Sequence, residues 1–510
     1  MMYRFIRAVA VAVVFAVLAV VFASCSAMPK SQVDEKMETQ QSRGKTTKND
    51  FFRSLGDIEQ DENLYSILKD SDVYSVDVVL YFYNPDTNKL EPEKRTINLQ
   101  KTDQILNVVI SQFLQGPKVK GLKHVISPKV KLQKVERYGN VVGVYLSKEF
   151  LESEDIAIAR AALVNTILES QEAKYVKIYV EGRELTHNGK DDGQILGLLT
   201  KYPNDVEQIR SREQELILQG DVKYIKREIY FQDQERRFLV PEIRDVPVSQ
   251  GKYVEAIVGE LIKGPVSENE GLYPTIPSGT QLMDVKFVED ADSSKGVELY
   301  FSKEFKLSFN KEANSETLMV GSLVYSLTDL PGVDWIRIYY QNENGEYVNT
   351  PVVSMGLNRR FDKDSLPFQL GKRIKVYFSD KDAMNLVPEY RIINRDSKDI
   401  VNEILNELIE GPSQEGHMAV IPSNISVGDI KAYVSGQTAF VNLPSKFNPS
   451  GLGSTGEIMA LYAIVNSLTD PVNTDNVRQI QFLVDGKVTN EFGHMSLADP
   501  FVRNPELIKE

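Results

Sequence analysis

Apolar residues recur at i, i+3, i+4, i+7 and i+8 in three places along the chain. The sets are Leu106, Val109, Ile110, Phe113 and Leu114; Val254, Ile257, Val258, Leu261 and Ile262; and Val401, Ile404, Leu405, Leu408 and Ile409. A stripe of that width predicts one face of an amphipathic helix that buries against a sheet. Each stripe stops at Gly-Pro (Gly116-Pro117, Gly264-Pro265, Gly411-Pro412), a glycine free to take positive φ and a residue that cannot continue a helix. The stops lie 148 and 147 residues apart, and further patterns fall into the same frame.

Before each helix runs a strand-like segment ending in Tyr-Phe (Tyr81-Phe82, Tyr230-Phe231, Tyr377-Phe378). Eleven residues beyond each tyrosine stands the proline of a Pro-Glu-x-Arg tetrad, at Pro92, Pro241 and Pro388. After the helix come Ile126-Ser127-Pro128, Ile276-Pro277 and Ile421-Pro422, then two strand patterns joined by a turn: short at Gly139-Asn140 and Ser435-Gly436, longer from Asp290 to Gly296. Each hairpin closes on Ser-Lys and a phenylalanine: Ser147-Lys148 with Phe150, Ser302-Lys303 with Phe305, Ser445-Lys446 with Phe447. A second helix holds Leu163-Val164-Asn165-Thr166, Leu323-Val324-Tyr325-Ser326 and Ile464-Val465-Asn466-Ser467, and last strands follow at 176–180, 335–340 and 480–484. Each unit therefore reads β-β-α-β-β-α-β, an α+β module of two layers with a mixed sheet and its helices on one face. The expected organisation is modules at 72–186, 226–346 and 373–510 (the last with a C-terminal tail), linkers at 187–225 and 347–372, a helix over 206–218, and the modules in a row.

Length agrees, since 510 residues at about one domain per 150 call for several separate cores. With 42% hydrophobic and 26% charged residues the chain is an ordinary globular protein. A net charge of -13 excludes general binding to nucleic acid and gives no basic patch for anionic lipid. Membrane association is expected from the N-terminus instead. Arg4 and Arg7 precede an apolar run from Ala8 to Phe22, closed by Ala23 and Ser24, which reads as a signal peptide over 1–24; an uncleaved spanning helix is the other reading. The polar stretch 25–71 reads as a flexible tether.

Cys25 is the only cysteine, so no intramolecular disulfide is possible. Its setting, Phe22-Ala23-Ser24-Cys25, resembles the lipobox of bacterial lipoproteins, although Phe22 departs from the usual leucine. That resemblance implies a diacylglycerol on Cys25 and a place on the extracytoplasmic face of the cell membrane, held firmly at about 0.8 kcal/mol per buried CH₂.

Candidate chemistry is sparse. In each tetrad the Glu and Arg (Glu93 and Arg95, Glu242 and Arg244, Glu389 and Arg391) are two residues apart, so on a strand they share a face. They form either a local exposed pair, weighing about 0 to 1 kcal/mol, or contacts to a carboxylate on a partner or wall polymer. Ser-Lys suggests a catalytic dyad, but neighbours on a strand point opposite ways, so strand ending with a core-filling phenylalanine is the expected role. His124, His187, His417 and His494 share no ligand spacing, and no metal site, phosphate loop or Ser-His-Asp setting is legible. No cofactor is expected.

Taken in order, Tyr-Phe, Pro-Glu-x-Arg, Gly-Pro, Ile-Pro, Ser-Lys-Glu-Phe and Leu-Val-Tyr-Ser-Leu-Thr resemble the GerMN domain, best in the second and third copies. The resemblance implies a GerM-like lipoprotein of the sporulation and germination type, with a fold similar to ring-building modules. It implies a non-enzymatic role: binding or scaffolding other envelope proteins, or self-association, with peptidoglycan a further candidate ligand. Three copies depart from the GerM pattern of two. The rival reading is an enzyme or glycan binder acting on peptidoglycan.

Overall fold

The computed structural model describes residues 73–100, 104–170, 173–190, 194–218, 222–266, 271–312, 314–447, 453–474, 476–490 and 492–509. The signal peptide, the tether and Cys25 lie outside these. Among the described residues no helix is long and apolar enough to cross a membrane.

Each repeat starts with a long antiparallel hairpin: β1 (Val73–Asn84) with β2 (Lys89–Gln100), β7 (Val222–Asp233) with β8 (Leu239–Ser249), β14 (Gly371–Asp380) with β15 (Leu386–Asn394). The constant Tyr-to-Pro spacing is the register itself, for Tyr81 faces Pro92, Tyr230 faces Pro241 and Tyr377 faces Pro388. The second strand is the edge of its own sheet, where a residue without an N–H costs no ladder bond.

The striped helices follow as α1 (Ile105–Leu114), α4 (Tyr253–Lys263) and α7 (Ile400–Glu410), with α2, α3, α5, α6 and α8 given below. Four of the five stripe residues in each are buried, and the fifth is half-buried. A second sheet completes each module. In the first it is β3 (Leu132–Tyr138), β4 (Val141–Leu146), β5 (Tyr175–Val180) and β6 (Arg183–Glu184), with helix α2 (Ile156–Ser170) crossing between the parallel strands β4 and β5. The second module repeats this with β10 (Leu282–Glu289), β11 (Lys295–Phe301), the short α5 (Glu304–Leu307), α6 (Ser315–Leu327), β12 (Trp335–Gln341) and β13 (Tyr347–Val348); β9 (Leu272–Tyr273) joins the hairpin sheet. The third has β16 (His417–Met418) on its hairpin sheet, then β17 (Lys431–Ser435), β18 (Thr438–Leu443), α8 (Gly453–Leu468), β19 (Gln479–Val484) and β20 (Phe501–Val502). The element order and the mixed α+β class are those expected. The strands, however, hydrogen-bond in two groups per module rather than one, because the hairpin pairs with itself before the chain reaches the crossover unit.

Three main cores result, one per module. Phe150, Phe305 and Phe447 sit fully buried in them. Residues 206–218 form the expected helix, α3 (Val206–Leu218). The modules do not sit in a row, because the first also reaches the third: Arg137 on β3 donates to the Pro471 carbonyl at 2.9 Å. Leu239 of the second module bridges Leu370, in the segment that leads into the third.

The stretches read as linkers, and the C-terminal tail, do one job three times. Leu199, Phe361 and Phe501 each pair antiparallel with the second residue of the last long strand, Val176, Ile336 and Ile480. Each chain segment then runs on to the first residues of the second hairpin strand: Leu90 N–H donates to the Asn204 carbonyl, Leu239 N–H to that of Gln369, and Lys509 N–H to that of Leu386. A trailing strap thus ties the two sheets of every module together.

Candidate functional site

The Glu and Arg of the tetrads are buried rather than exposed, Arg391 alone of the six being half-buried. Glu93 and Arg95 pair at 2.5 Å, Glu242 and Arg244 at 2.6 Å, Glu389 and Arg391 at 2.7 Å. Each arginine also donates to the carbonyl of the helix-stopping glycine: Arg95 to Gly116 at 2.6 Å, Arg244 to Gly264 at 2.5 Å, Arg391 to Gly411 at 3.0 Å. The last carbonyls of a helix have no partner within it and carry partial negative charge, so a guanidinium there caps both. Each carboxylate accepts the backbone N–H groups just past the glycine: Lys118 and Val119 on Glu93, Val266 on Glu242, Ser413 and Gln414 on Glu389. The tetrad is a clamp around the helix exit. Gly116, Gly264 and Gly411 have φ of 85°, 81° and 92°, which explains the glycine in the stop. Burial alone would push the Glu389 carboxyl up, but the Ser413 N–H, Arg391, the Gln414 N–H and His417 hold it down at about 2.

A second repeated contact ties helix to hairpin. The buried hydroxyls of Thr166, Ser326 and Ser467 accept the N–H groups of Tyr81, Tyr230 and Tyr377 at 2.9, 3.1 and 3.1 Å. Three residues further, an acid meets a cation of the strap: Glu169 with Lys201, Asp329 with Lys363, Asp470 with Arg503. The acids stand at one place of the repeat, three residues past each helix hydroxyl, whereas their strap cations lie beyond the last strand, outside the repeated pattern. Aligning the linkers with each other and with the tail would have shown a basic residue two places after Leu199, Phe361 and Phe501.

The serines of the first two Ser-Lys pairs are likewise spent on backbone, and Lys446 of the third pairs with Asp429. Ser147 accepts the Lys131 N–H at 2.9 Å and Ser302 the Gln281 N–H at 3.1 Å, which closes the hairpin mouth. His124 lies against Phe82 and Phe113, His417 bonds Glu389 at 2.7 Å, and His494 bonds Glu457 at 3.2 Å. Among the described residues no group of three or more His, Cys, Asp and Glu side chains is placed to hold a metal.

What differs between modules is at their outer surfaces. On the outer face of the first module's four-stranded sheet Tyr145 and Tyr179 stack at 4.3 Å beside Lys177. Lys177 crosses to the second module, reaching Asp329 at 2.8 Å and Glu228 at 3.2 Å, and Arg227 pairs with Glu184 in the same buried cluster. Burial would raise the Asp329 carboxyl, but Lys177 and Lys363 hold it far below its ordinary range. The matching stack in the second module is Tyr300 on Tyr339 at 4.8 Å, yet Arg337, in the position of Lys177, stays within its own module on Asp290 (2.9 Å) and Glu298 (3.4 Å). That module also has a cleft of about 580 Å³ floored by the buried Tyr340, with Lys303, Lys306 and Lys311 around it and Leu307 at its rim.

Comparison with known proteins agrees with this anatomy. The family described as Germane, sporulation and spore germination, matches three times, at residues 79–186, 228–346 and 375–490. The chain is 25% identical over 301 residues to the spore germination protein GerM of Bacillus subtilis (strain 168), covering 55% of this chain and 77% of that one. Among solved structures it is similar to the tandem GerMN domains of that organism's sporulation protein GerM (21% identity, 56% of this chain, 100% of that one, TM-score 0.23). The first GerMN domain of the same protein also matches (24% identity, 27% of this chain, 98% of that one, TM-score 0.22). With the matches covering most of its length, the chain belongs to the Germane family and is a GerM-like protein built from three GerMN modules.

Proposed function

We propose that this protein is a non-catalytic envelope lipoprotein, anchored through diacylglycerol on Cys25 to the outer face of the cell membrane, whose modules bind or scaffold other proteins of sporulation or germination. One observation carries the reading. The polar residues that recur in all three modules (the Glu and Arg of the tetrads, the helix hydroxyls, the strap ion pairs) are engaged inside their own module. The recurring chemistry therefore builds the fold, and the module-specific surfaces are left to choose partners. Crosslinking of the full chain in intact cells should capture a reproducible set of envelope proteins, and a palmitate analogue should label Cys25. Release of fragments from purified cell wall by the purified chain would overturn the non-catalytic reading.

The cleft lined by Lys303, Lys306 and Lys311 favours one second reading, a module-two site for an anionic wall glycan, since three ammonium groups around one cleft suit a sugar bearing negative groups. Saturable binding of N-acetylmuramic acid, weakened by Lys306→Gln, would support it.

A further inference from the structure

The three modules meet around a cavity of about 280 Å³. One wall is the start of β8 in the second module, from Val240 to Ile243; a second is the start of β14 in the third, from Gly371 to Arg373. The Gly139-Asn140 turn of the first module supplies another. Strands β8 and β14 belong to separate sheets, yet Leu239 and Leu370 form a parallel bridge between them, with the Leu239 N–H on the Gln369 carbonyl. That bridge is isolated, and past it the two strands enclose the cavity instead of pairing.

The hairpin register says which backbone groups of β8 face this space. Tyr230 opposes Pro241; the tyrosine N–H goes outward to Ser326 and the proline has none, so this is a pair without ladder bonds. Glu228 and Ile243, two places along, are in the same state. The Pro241 carbonyl and the Ile243 N–H therefore turn off the hairpin toward the third module. An acceptor and a donor that flank one residue in this way are what a residue of a parallel neighbouring strand pairs with. The charges around the cavity are mixed. Lys372 and Arg373 lie on one wall and Glu228 and Glu242 on the other, the two carboxylates being held by Lys177 and Arg244. Such a lining suits a zwitterion better than a plain anion or cation.

We propose that this junction cavity binds an extended dipeptide. Its second residue stands where a parallel strand would face Glu242: the peptide N–H donates to the Pro241 carbonyl, and the terminal carboxylate accepts the Ile243 N–H. Recognition through backbone groups reads the form of the ligand more than its side chains, and a cavity of this size selects small ones. Because each module supplies a wall, the ligand binds only the assembled set of three.

Calorimetric titration of the full chain in detergent with dialanine tests this. One site per chain should saturate, with a Kd of about 1 mM or tighter. Methylating the peptide nitrogen of dialanine removes the donor to Pro241 and should weaken binding about tenfold, the worth of one carbonyl left unmet. Asn140→Trp fills the cavity from the first module's turn and should abolish binding at an unchanged melting temperature. Should that variant not fold, the Ile243 amide of the unaltered chain reads the same contact, since its hydrogen exchange should slow when dialanine is added. A soluble pentapeptide ending in Ala-Ala separates two sources of the ligand: binding equal to dialanine assigns the site to the end of a longer chain, and weaker binding assigns it to the free dipeptide. A cavity that takes up water only, equal binding of the methylated peptide, or binding kept by Asn140→Trp overturns the proposal. Those outcomes leave the capture of other envelope proteins standing, since that is read separately by crosslinking in cells.

Discussion

Lys177 and Arg337 occupy one position of the repeat, on the strand after the crossover helix and beside a stacked pair of tyrosines, and they do opposite things. Lys177 leaves its own sheet and is buried against Glu228 and Asp329 of the next module, whereas Arg337 folds back onto Asp290 and Glu298 of its own. The third module has Gln481 in that place, donating to the Leu497 carbonyl at 2.8 Å. The fold tolerates all three because the position points away from the module core. The repeat thus separates into residues that make a module, which recur, and residues that decide what a module touches, which do not, with Asp329 serving in both sets by holding Lys363 and Lys177.

The largest expected effect comes from breaking that contrast directly. Lys177→Met leaves Asp329 and Glu228 buried with one cation fewer and should cost about 3–5 kcal/mol, read from the urea midpoint of the full chain. Arg337→Met, on a partly exposed ion pair, should stay within about 1 kcal/mol. Equal effects would erase the distinction between the two faces.

Removing a module-making residue should matter wherever it is done. Arg244→Leu withdraws the cation from Glu242 and Glu260 and the cap from the Gly264 carbonyl, and about 3 kcal/mol should be lost. Arg95→Leu should behave alike in the first module.

The clamp of the third module can also be opened by acid. The folded Glu389 carboxyl is depressed to about 2, so its contribution is fully present above its ordinary unfolded value near 4 and is lost as pH falls toward 2. The loss should reach roughly 3 kcal/mol, and Glu389→Gln should flatten that part of the stability profile.

Among the changes to module-making positions, the backbone effects are smallest. Gly411→Ala forces a non-glycine residue to φ 92° with open space around the new methyl, so the cost should be strain alone, about 1–3 kcal/mol by thermal melting. At Gly264 the added Cβ would also press on Pro274 at 3.3 Å, making the loss somewhat greater.

Much of this was legible in the chain. The three stripes, the glycine stops and the constant Tyr-to-Pro offset follow from helix period, glycine conformation and hairpin register, which are local rules. The role of the tetrad was less legible. Glu and Arg two apart on a strand read as an exposed pair, and only the packing of the hairpin against the helix exit shows that backbone groups of residues 112–119, 260–266 and 411–414 fill their hydrogen bonds. The straps were not legible as module parts, since one paired residue and one cation leave no periodic pattern. Module contacts were illegible for the same reason that Lys177 and Arg337 differ: an outward residue carries no sign of what it meets.

The central claim is that every module is closed by its trailing strap. Hydrogen exchange on the full chain tests it directly. The amides of Leu199, Phe361 and Lys509 should exchange as slowly as those of the strands they pair with, since each donates to a strand carbonyl. Exchange at the rate of free loops in these segments, with the flanking strands protected, would contradict the account.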